Sequence, residues 1–293
     1  MNAWVVAIAV VIVAGLVYSY WRQVSYSIVV SVSCGLAFVM LLVSSDSYRV
    51  VSSSTMEGLQ FMPGDLVDPA RVYTVVTSMF AHVSFFHLFF NILCLAFIGT
   101  IFEERIGSRP FIILYLLTGL VGTLTFAAVR WNDPYVAVVG ASGAISGVLG
   151  AFARLYPNER MSMILFLFPL PAMPIWVIVG IFVLIQFVFV SGEVNVAVES
   201  HLGGLLAGIL LAPIIVKAPL HKRVKKMASQ SALKKLATTP ELKAMMRRIE
   251  EEEIPDVRSA WIEHFLATAR CPVCGGRLKV SRETVQCEKG HII

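Results

Sequence analysis

Apolar positions along this chain run in blocks of about twenty residues broken by short polar stretches, and the blocks stop near residue 217. A helix needs roughly 20 mostly apolar residues to cross a hydrocarbon core of about 30 Å. The blocks predict seven spans, at residues 3–20, 26–45, 82–102, 109–129, 138–156, 170–191 and 198–217. The first lacks the basic n-region and small-residue cleavage site of a signal peptide, so it reads as a span. The fifth is the most polar, with Ser142, Ser146 and several glycines, while Pro169, Pro171 and Pro174 mark an irregular start to the sixth. Between the second and third spans lie about 36 residues that include the apolar pieces Phe61–Met62 and Val72–Val76. A loop of that length predicts one or two short helices at the membrane surface.

Composition agrees with the pattern. Of 293 residues, 57% are apolar and 15% charged, and the mean hydropathy is +0.77. These values exclude both an ordinary soluble domain and a disordered chain. Charge is concentrated at the end: residues 217–293 hold 16 Lys/Arg and 9 Asp/Glu, the first 216 only 8 and 10. The net charge of +5 therefore argues for topology before nucleic-acid binding. Lys217, Lys222, Arg223, Lys225 and Lys226 follow the last span and assign the C-terminus to the cytoplasm; seven spans then leave the N-terminus outside. Arg22, the Arg105–Arg109 turn and the Arg154–Arg160 turn fall on the cytoplasmic side, and the connections 46–81, 130–137 and 192–197 on the outer side. The expectation is a multi-pass protein of the cell membrane.

Polar side chains inside spans are expensive, so each is a candidate for function. Three places collect them: His82, His87 and Asn91 opening the third span, Gly140-Ala-Ser142-Gly143-Ala-Ile-Ser146-Gly147 opening the fifth, and Glu199-Ser200-His201-Leu-Gly-Gly204 opening the seventh. In the predicted topology all three lie toward the outer face. His87 and Asn91, four apart, share one helix face. Gly143-xxx-Gly147 and Gly204-xxx-Gly208 are close-packing patterns of membrane helices. If those faces meet, Ser142 and His201 confront each other, and a serine within reach of a histidine is an activated nucleophile. Asn91, His87 and the Ser142 backbone N–H are then candidate donors to an oxyanion. The plain alternative is that the glycine pairs only pack helices, that a histidine is a structural hydrogen-bonder, and that Ser146 bonds a carbonyl one turn back.

His87-xxx-Asn91, Gly140-Ala-Ser142-Gly143 and His201-xx-Gly204-xxx-Gly208, in that order on successive odd spans, together with Glu103-Glu-Arg-Ile-Gly107, resemble the rhomboid family of intramembrane serine proteases. The resemblance covers about residues 26–217. It implies an all-α polytopic membrane fold, a six-helix core at 26–217, with residues 1–25 as an extra N-terminal helix. It also implies a serine-type endopeptidase with Ser142 as nucleophile and His201 as general base. Asn91, His87 and the Ser142 N–H form the oxyanion hole, and His82, Ser146, Gly140, Gly143, Gly204 and Gly208 support it. No acidic third member is evident, so the pair works as a dyad whose roles follow triad logic. The chain departs from the family in two places. The position four after the nucleophile is usually aromatic and packs on the histidine; here it is Ser146, so His201 must be held differently, as by a hydrogen bond. The family's Trp-Arg pair in the first outer loop appears as Tyr73-Thr74, which keeps an aromatic ring and loses the guanidinium.

Catalysis on this reading needs no cofactor. Substrates are transmembrane segments of other proteins, reached in the bilayer by lateral entry beside residues 170–191 and cleaved near the outer face where their helices are weak. The alternative function is a catalytically silent relative that binds or chaperones membrane helices. A transporter or channel would spread ionisable residues through the membrane depth, which this sequence does not do.

The tail has two parts. Residues 218–270 carry apolar positions at helical spacing (Leu233, Leu236, Leu242, Met245, Met246, Ile249) and predict helices, either amphipathic along the inner leaflet or a solvated cytoplasmic linker. Residues 271–293 place Cys271-xx-Cys274 and then, after twelve intervening residues, Cys287 with His291 beyond, a zinc-ribbon spacing for a closed structural Zn²⁺ site. Such a module serves an unknown cytosolic partner. Cys34 and Cys94 read as small buried hydrophobes.

Overall fold

The computed structural model describes residues 2–45, 53–165, 168–191, 197–216, 230–251, 255–281 and 284–291. The basic run 217–226, loop residues 46–52 and 192–196, and Glu252 and Glu253 lie outside the described residues. The chain divides into two compact units, Met1–Ala218 and Pro219–Ile293.

The first unit is a helical bundle. Helices α1 (Ala3–Arg22) and α2 (Tyr26–Ser44) pair through a turn with Gln23 at φ 55°. The loop that follows carries α3 (Ser54–Leu59), a 3-10 turn (Pro63–Val67), α4 (Thr74–Thr77) and a second 3-10 turn (Ser78–Phe80), the short helices expected there. The third span is α5 (Phe85–Cys94), a π-turn (Leu95–Gly99) and α6 (Thr100–Ile106) in unbroken succession. After it come α7 (Ser108–Val129) and α8 (Ser142–Leu155). A hairpin of β1 (Arg160–Leu165) and β2 (Phe168–Pro174) leads to α9 (Ile175–Ser191) and then α10 (Val198–Ile215). The hairpin pairs Arg160 with Pro174 and Leu165 with Phe168, where the sequence had suggested only an irregular helix start. Proline fits there because, among the described residues, β2 pairs only with β1 and is an edge strand.

Among the described residues, five helices are long and apolar enough to cross a membrane: α1, α2, Phe85–Ile106, α7 and α10. Helix α8 is not one of them. Its 14 residues rise about 21 Å against a core of about 30 Å. The sequence had predicted a span over 138–156; residues 136–141 instead enter as non-helical chain. Val138 bridges Phe61, and the Gly140 N–H donates to the Ser78 carbonyl at 2.8 Å, so the loop before the third span holds this entry. Non-helical backbone is tolerated at membrane depth only where protein or water satisfies it.

Glycine sets the closest approaches. A Cβ at Gly204 would meet the Gly143 carbonyl oxygen, one at Gly208 the Gly147 carbonyl, and one at Gly150 the Leu205 carbonyl. Helices α8 and α10 thus pack backbone on backbone, as the two small-residue pairs predict. The opposite face of α10 carries Leu206, Leu210 and Ile214, all exposed. Small residues inward and large apolar residues outward is the pattern of a helix facing lipid, and the chain is an integral membrane protein. Away from the polar cluster the interior is aromatic: Phe102 and Phe152 stack at 4.9 Å, beside buried Phe111 and Tyr115.

The Glu103-to-Gly107 motif has a structural explanation. Buried Glu103 accepts the Tyr26 and Ser27 N–H groups, each at 2.8 Å, and the Ser25 hydroxyl at 2.6 Å, which caps the N-terminus of α2. Gly107, at φ +89°, allows the sharp turn from α6 into α7. The loop guanidinium missing at Thr74 is supplied by Arg71, whose Nε donates to Asp65 at 2.6 Å and whose Nη2 donates to the Glu57 carbonyl at 2.9 Å. Tyr73 adds a hydrogen bond from its hydroxyl to the Gly58 carbonyl at 3.0 Å.

The second unit holds α11 (Gln230–Leu236), α12 (Pro240–Glu251), α13 (Pro255–Thr268) and a hairpin of β3 (Leu278–Ser281) and β4 (Thr284–Cys287). The six apolar positions noted at helical spacing form one buried core with Ile262, Phe265, Leu266, Leu278 and Val285. Those faces are therefore occupied within the unit and do not form a free amphipathic stripe for the inner leaflet. Helices and hairpin share this core.

Candidate active site

Ser142 is the first residue of α8, where backbone N–H groups have no intrahelical acceptor and the helix dipole favours negative charge. Two residues before it, Gly140 sits at φ +118°, a conformation open to glycine. A Cβ at Gly140 would lie 2.6 Å from His87 Nε2 and 3.7 Å from Ser142 Oγ. The bare glycine makes room for the His87 ring beside the serine.

His201 lies in the first turn of α10, and its Nε2 is 2.6 Å from Ser142 Oγ. The packing that sets this distance is the glycine contact already described, with Gly143 and Gly147 on one helix and Gly204 and Gly208 on the other. Gly143 also leaves room for buried Ser200, whose Oγ a Cβ there would meet at 2.6 Å. The ring's other nitrogen, Nδ1, is 3.1 Å from the amide oxygen of Gln186 on α9.

His87 and Asn91 share one face of α5, and the Asn91 amide nitrogen donates to the His87 carbonyl at 2.7 Å. That bond takes one of its two hydrogens. His82, fully buried, places Nδ1 3.3 Å from the Phe80 carbonyl and sets its ring edge-on to His87 at 4.9 Å. Ser146 does not join the site: its hydroxyl donates to the Ser142 carbonyl one turn back, at 2.7 Å, and His201 is met by Gln186 instead.

Gln186 is the residue the sequence reading passed over. The signal was there: between Ile175 and Val190 it is the one side-chain amide in an otherwise apolar helix. A polar group in such a segment is by default a functional candidate. It lies mid-helix, away from the three polar clusters, so no motif or spacing singles it out.

In the second unit, the ligand atoms of Cys271, Cys274, Cys287 and His291 all lie within 4.8 Å of one another. Cys274 Sγ is 3.6 Å from Cys287 Sγ, and His291 Nδ1 is 3.2 Å from Cys287 Sγ and 3.8 Å from Cys271 Sγ. With Zn–S near 2.3 Å and Zn–N near 2.0 Å, tetrahedral edges come to about 3.5–3.8 Å, so the donor set fits a zinc ion. Desolvation pushes the Cys287 thiol up, but the backbone N–H groups of His291 and Lys289, and the neighbouring thiols, more than offset it and bring it to about 6. A thiolate is what a metal requires. Gly275, at φ +67°, makes the turn behind the first cysteine pair.

Comparison with known proteins gives a consistent picture. A family model described as the rhomboid domain matches residues 69–218. The chain is 32% identical over 165 residues to the mitochondrial Rhomboid protein 1 of Saccharomyces cerevisiae, covering 53% of this chain and 45% of that protein. It is 28% identical over 177 residues to the Rhomboid protease GluP of Bacillus subtilis, covering 60% and 32%. It is also 31% identical over 124 residues to the Inactive RHOMBOID-like protein 8 of Arabidopsis thaliana, covering 40% and 34%. The matches thus span from 32% to 45% of these relatives' own length.

Proposed function

The chain belongs to the rhomboid family, and we propose that it works as an intramembrane serine endopeptidase through Ser142 and His201. The observation that carries this reading is the 2.6 Å contact between His201 Nε2 and Ser142 Oγ, inside the bundle and at the N-terminus of a short helix. His201 takes the serine proton as Oγ attacks the scissile carbonyl. The Ser142 N–H, His87 and Asn91 stabilise the oxyanion, and His201 then protonates the leaving amine. Water deprotonated by His201 hydrolyses the acyl-enzyme. No metal or organic cofactor enters these steps.

Substrates on this reading are transmembrane segments. A helical peptide bond has its carbonyl already bonded, so clients with helix-weakening residues at the outer end of their span are favoured. The membrane orientation has the C-terminus in the cytoplasm and the N-terminus outside the cell membrane, which places the dyad toward the outer face. The parts are an extra helix (1–25), the protease core (26–217), a cytoplasmic helical segment (218–270) and a zinc-ribbon-like module (271–293). The test is the purified protein in liposomes with a single-span reporter carrying glycine and small polar residues near its outer end. Two fragments cut at that end are expected. An intact reporter, with the protease folded, would favour a silent relative that holds membrane helices without cutting them; the paired Ser142 and His201 weigh against that.

For the tail, the proposal is one structural zinc ion on Cys271, Cys274, Cys287 and His291, with four protein ligands and no open position, presenting the unit to a cytosolic partner. The hairpin is short and its core continues into α13, so metal loss should loosen the whole unit. One zinc per chain by elemental analysis is expected. A strong chelator should lower the helical circular-dichroism signal and make Pro219–Ile293 protease-sensitive, with Cys287→Ser doing the same. Unchanged protease resistance after complete metal removal would contradict the assignment.

A further inference from the structure

We propose that Gln186 is the positioning residue for His201: its amide oxygen fixes the imidazole tautomer so that Nε2 presents a lone pair to Ser142, and α9 thereby takes the orienting role that residue 146 does not fill. The inference rests on the reading of Ser142 and His201 as nucleophile and base. An amide oxygen only accepts hydrogen bonds. At 3.1 Å from Nδ1 it requires the proton on that nitrogen. A neutral ring protonated at Nδ1 has Nε2 bare, and Nε2 is the atom 2.6 Å from the serine oxygen. The opposite tautomer would put a hydrogen between them and leave Ser142 without a base.

The burial points the same way. Gln186 is 3% exposed on a helix that is otherwise apolar, and a buried amide is costly unless bonded. One turn earlier on the same helix, Phe182 sets its ring 6.1 Å from the His201 ring at 44°. One face of α9 thus supplies both a polar contact to Nδ1 and an aromatic neighbour to the ring. Helix α8 supplies neither, since Ser146 is turned onto its own backbone.

Three measurements on the full-length protein in detergent test this. Gln186→Leu keeps the volume and removes the acceptor; it should lower kcat on the reporter about tenfold, with KM within about twofold, the scale of one lost hydrogen bond. Gln186→Glu keeps an acceptor that has no wrong face to present, and should recover most of the loss. Nitrogen-15 spectra of the imidazoles, with His201 assigned by difference against His201→Ala, should show wild-type His201 protonated at Nδ1 and Gln186→Leu shifted toward a mixture. The proposal is overturned by unchanged kcat in Gln186→Leu, by a Gln186→Glu protein no faster than the leucine variant, or by a wild-type ring protonated at Nε2. The wild-type spectrum needs no turnover, and its assignment needs only that the His201→Ala reference is folded. An inert wild type would therefore sink the protease reading and still leave the role of Gln186 decided.

Discussion

Ser142→Ala and His201→Ala should each lower kcat on a membrane reporter by about 10⁴- to 10⁶-fold, and the double variant should be no worse than the poorer single one. Nucleophile and base act as a unit, so losing either removes nearly all of the covalent route, and the remainder comes from binding and oxyanion donors. The two variants should differ in stability, however. Removing the serine hydroxyl takes away one partner of a single contact, and the small side chain at the start of α8 leaves little void. Removing the imidazole empties the space between Ser142, Gln186 and Phe182 and leaves the buried amide oxygen without its donor. An unsatisfied buried acceptor costs about 1–3 kcal/mol. Progress curves on the reporter and thermal unfolding in detergent check both halves. Additive losses in the double variant would mean that the two residues do not share one step.

Gly208→Val should cost about 3 kcal/mol or more and lower kcat at least about a hundredfold, although residue 208 is nearly two turns from His201. A side chain there meets the Gly147 carbonyl, which belongs to backbone and cannot rotate away. Overpacking of a rigid contact is relieved only by moving one helix. Helix α8 carries Ser142 and α10 carries His201, so the movement lengthens the 2.6 Å contact between them. Misplacement by about 1 Å is worth about a hundredfold in rate. Gly35→Val is the matched control: a Cβ there has nothing within 4 Å, so both stability and rate should stay near wild type. Thermal unfolding and reporter kinetics of the two variants decide the point. Equal behaviour would mean that α8 and α10 are not held by their glycine seam.

Much of this site was legible because its chemistry is written in spacing. Ser142 and His201 each precede a small-xxx-small pair by a short interval, so two packing motifs and two polar residues converge on one contact. The spans were legible for the same reason that any apolar block is. What escaped followed from weaker signals. The stretch between Pro157 and Pro174 is largely apolar without helical period and holds several prolines, a pattern that hydropathy does not assign, and Arg160–Leu165 and Phe168–Pro174 pair as strands before α9. The shortness of α8 was hidden because non-helical residues 136–141 are apolar enough to extend the block. Gln186 was hidden by its isolation, and its partner is 15 residues away across a helix boundary. Arg71 stands three residues before Thr74, the position the family pattern gives to a guanidinium, and only the folded loop reveals that it reaches Asp65 and the Glu57 carbonyl.

The central claim is that Ser142 is activated by His201, and a fluorophosphonate probe measures that most directly because it needs no client. Wild-type protein in detergent should be labelled once per chain, at Ser142, with labelling lost in both Ser142→Ala and His201→Ala. Labelling that survives in a folded His201→Ala protein, or a folded wild type that takes up no probe, would contradict the account.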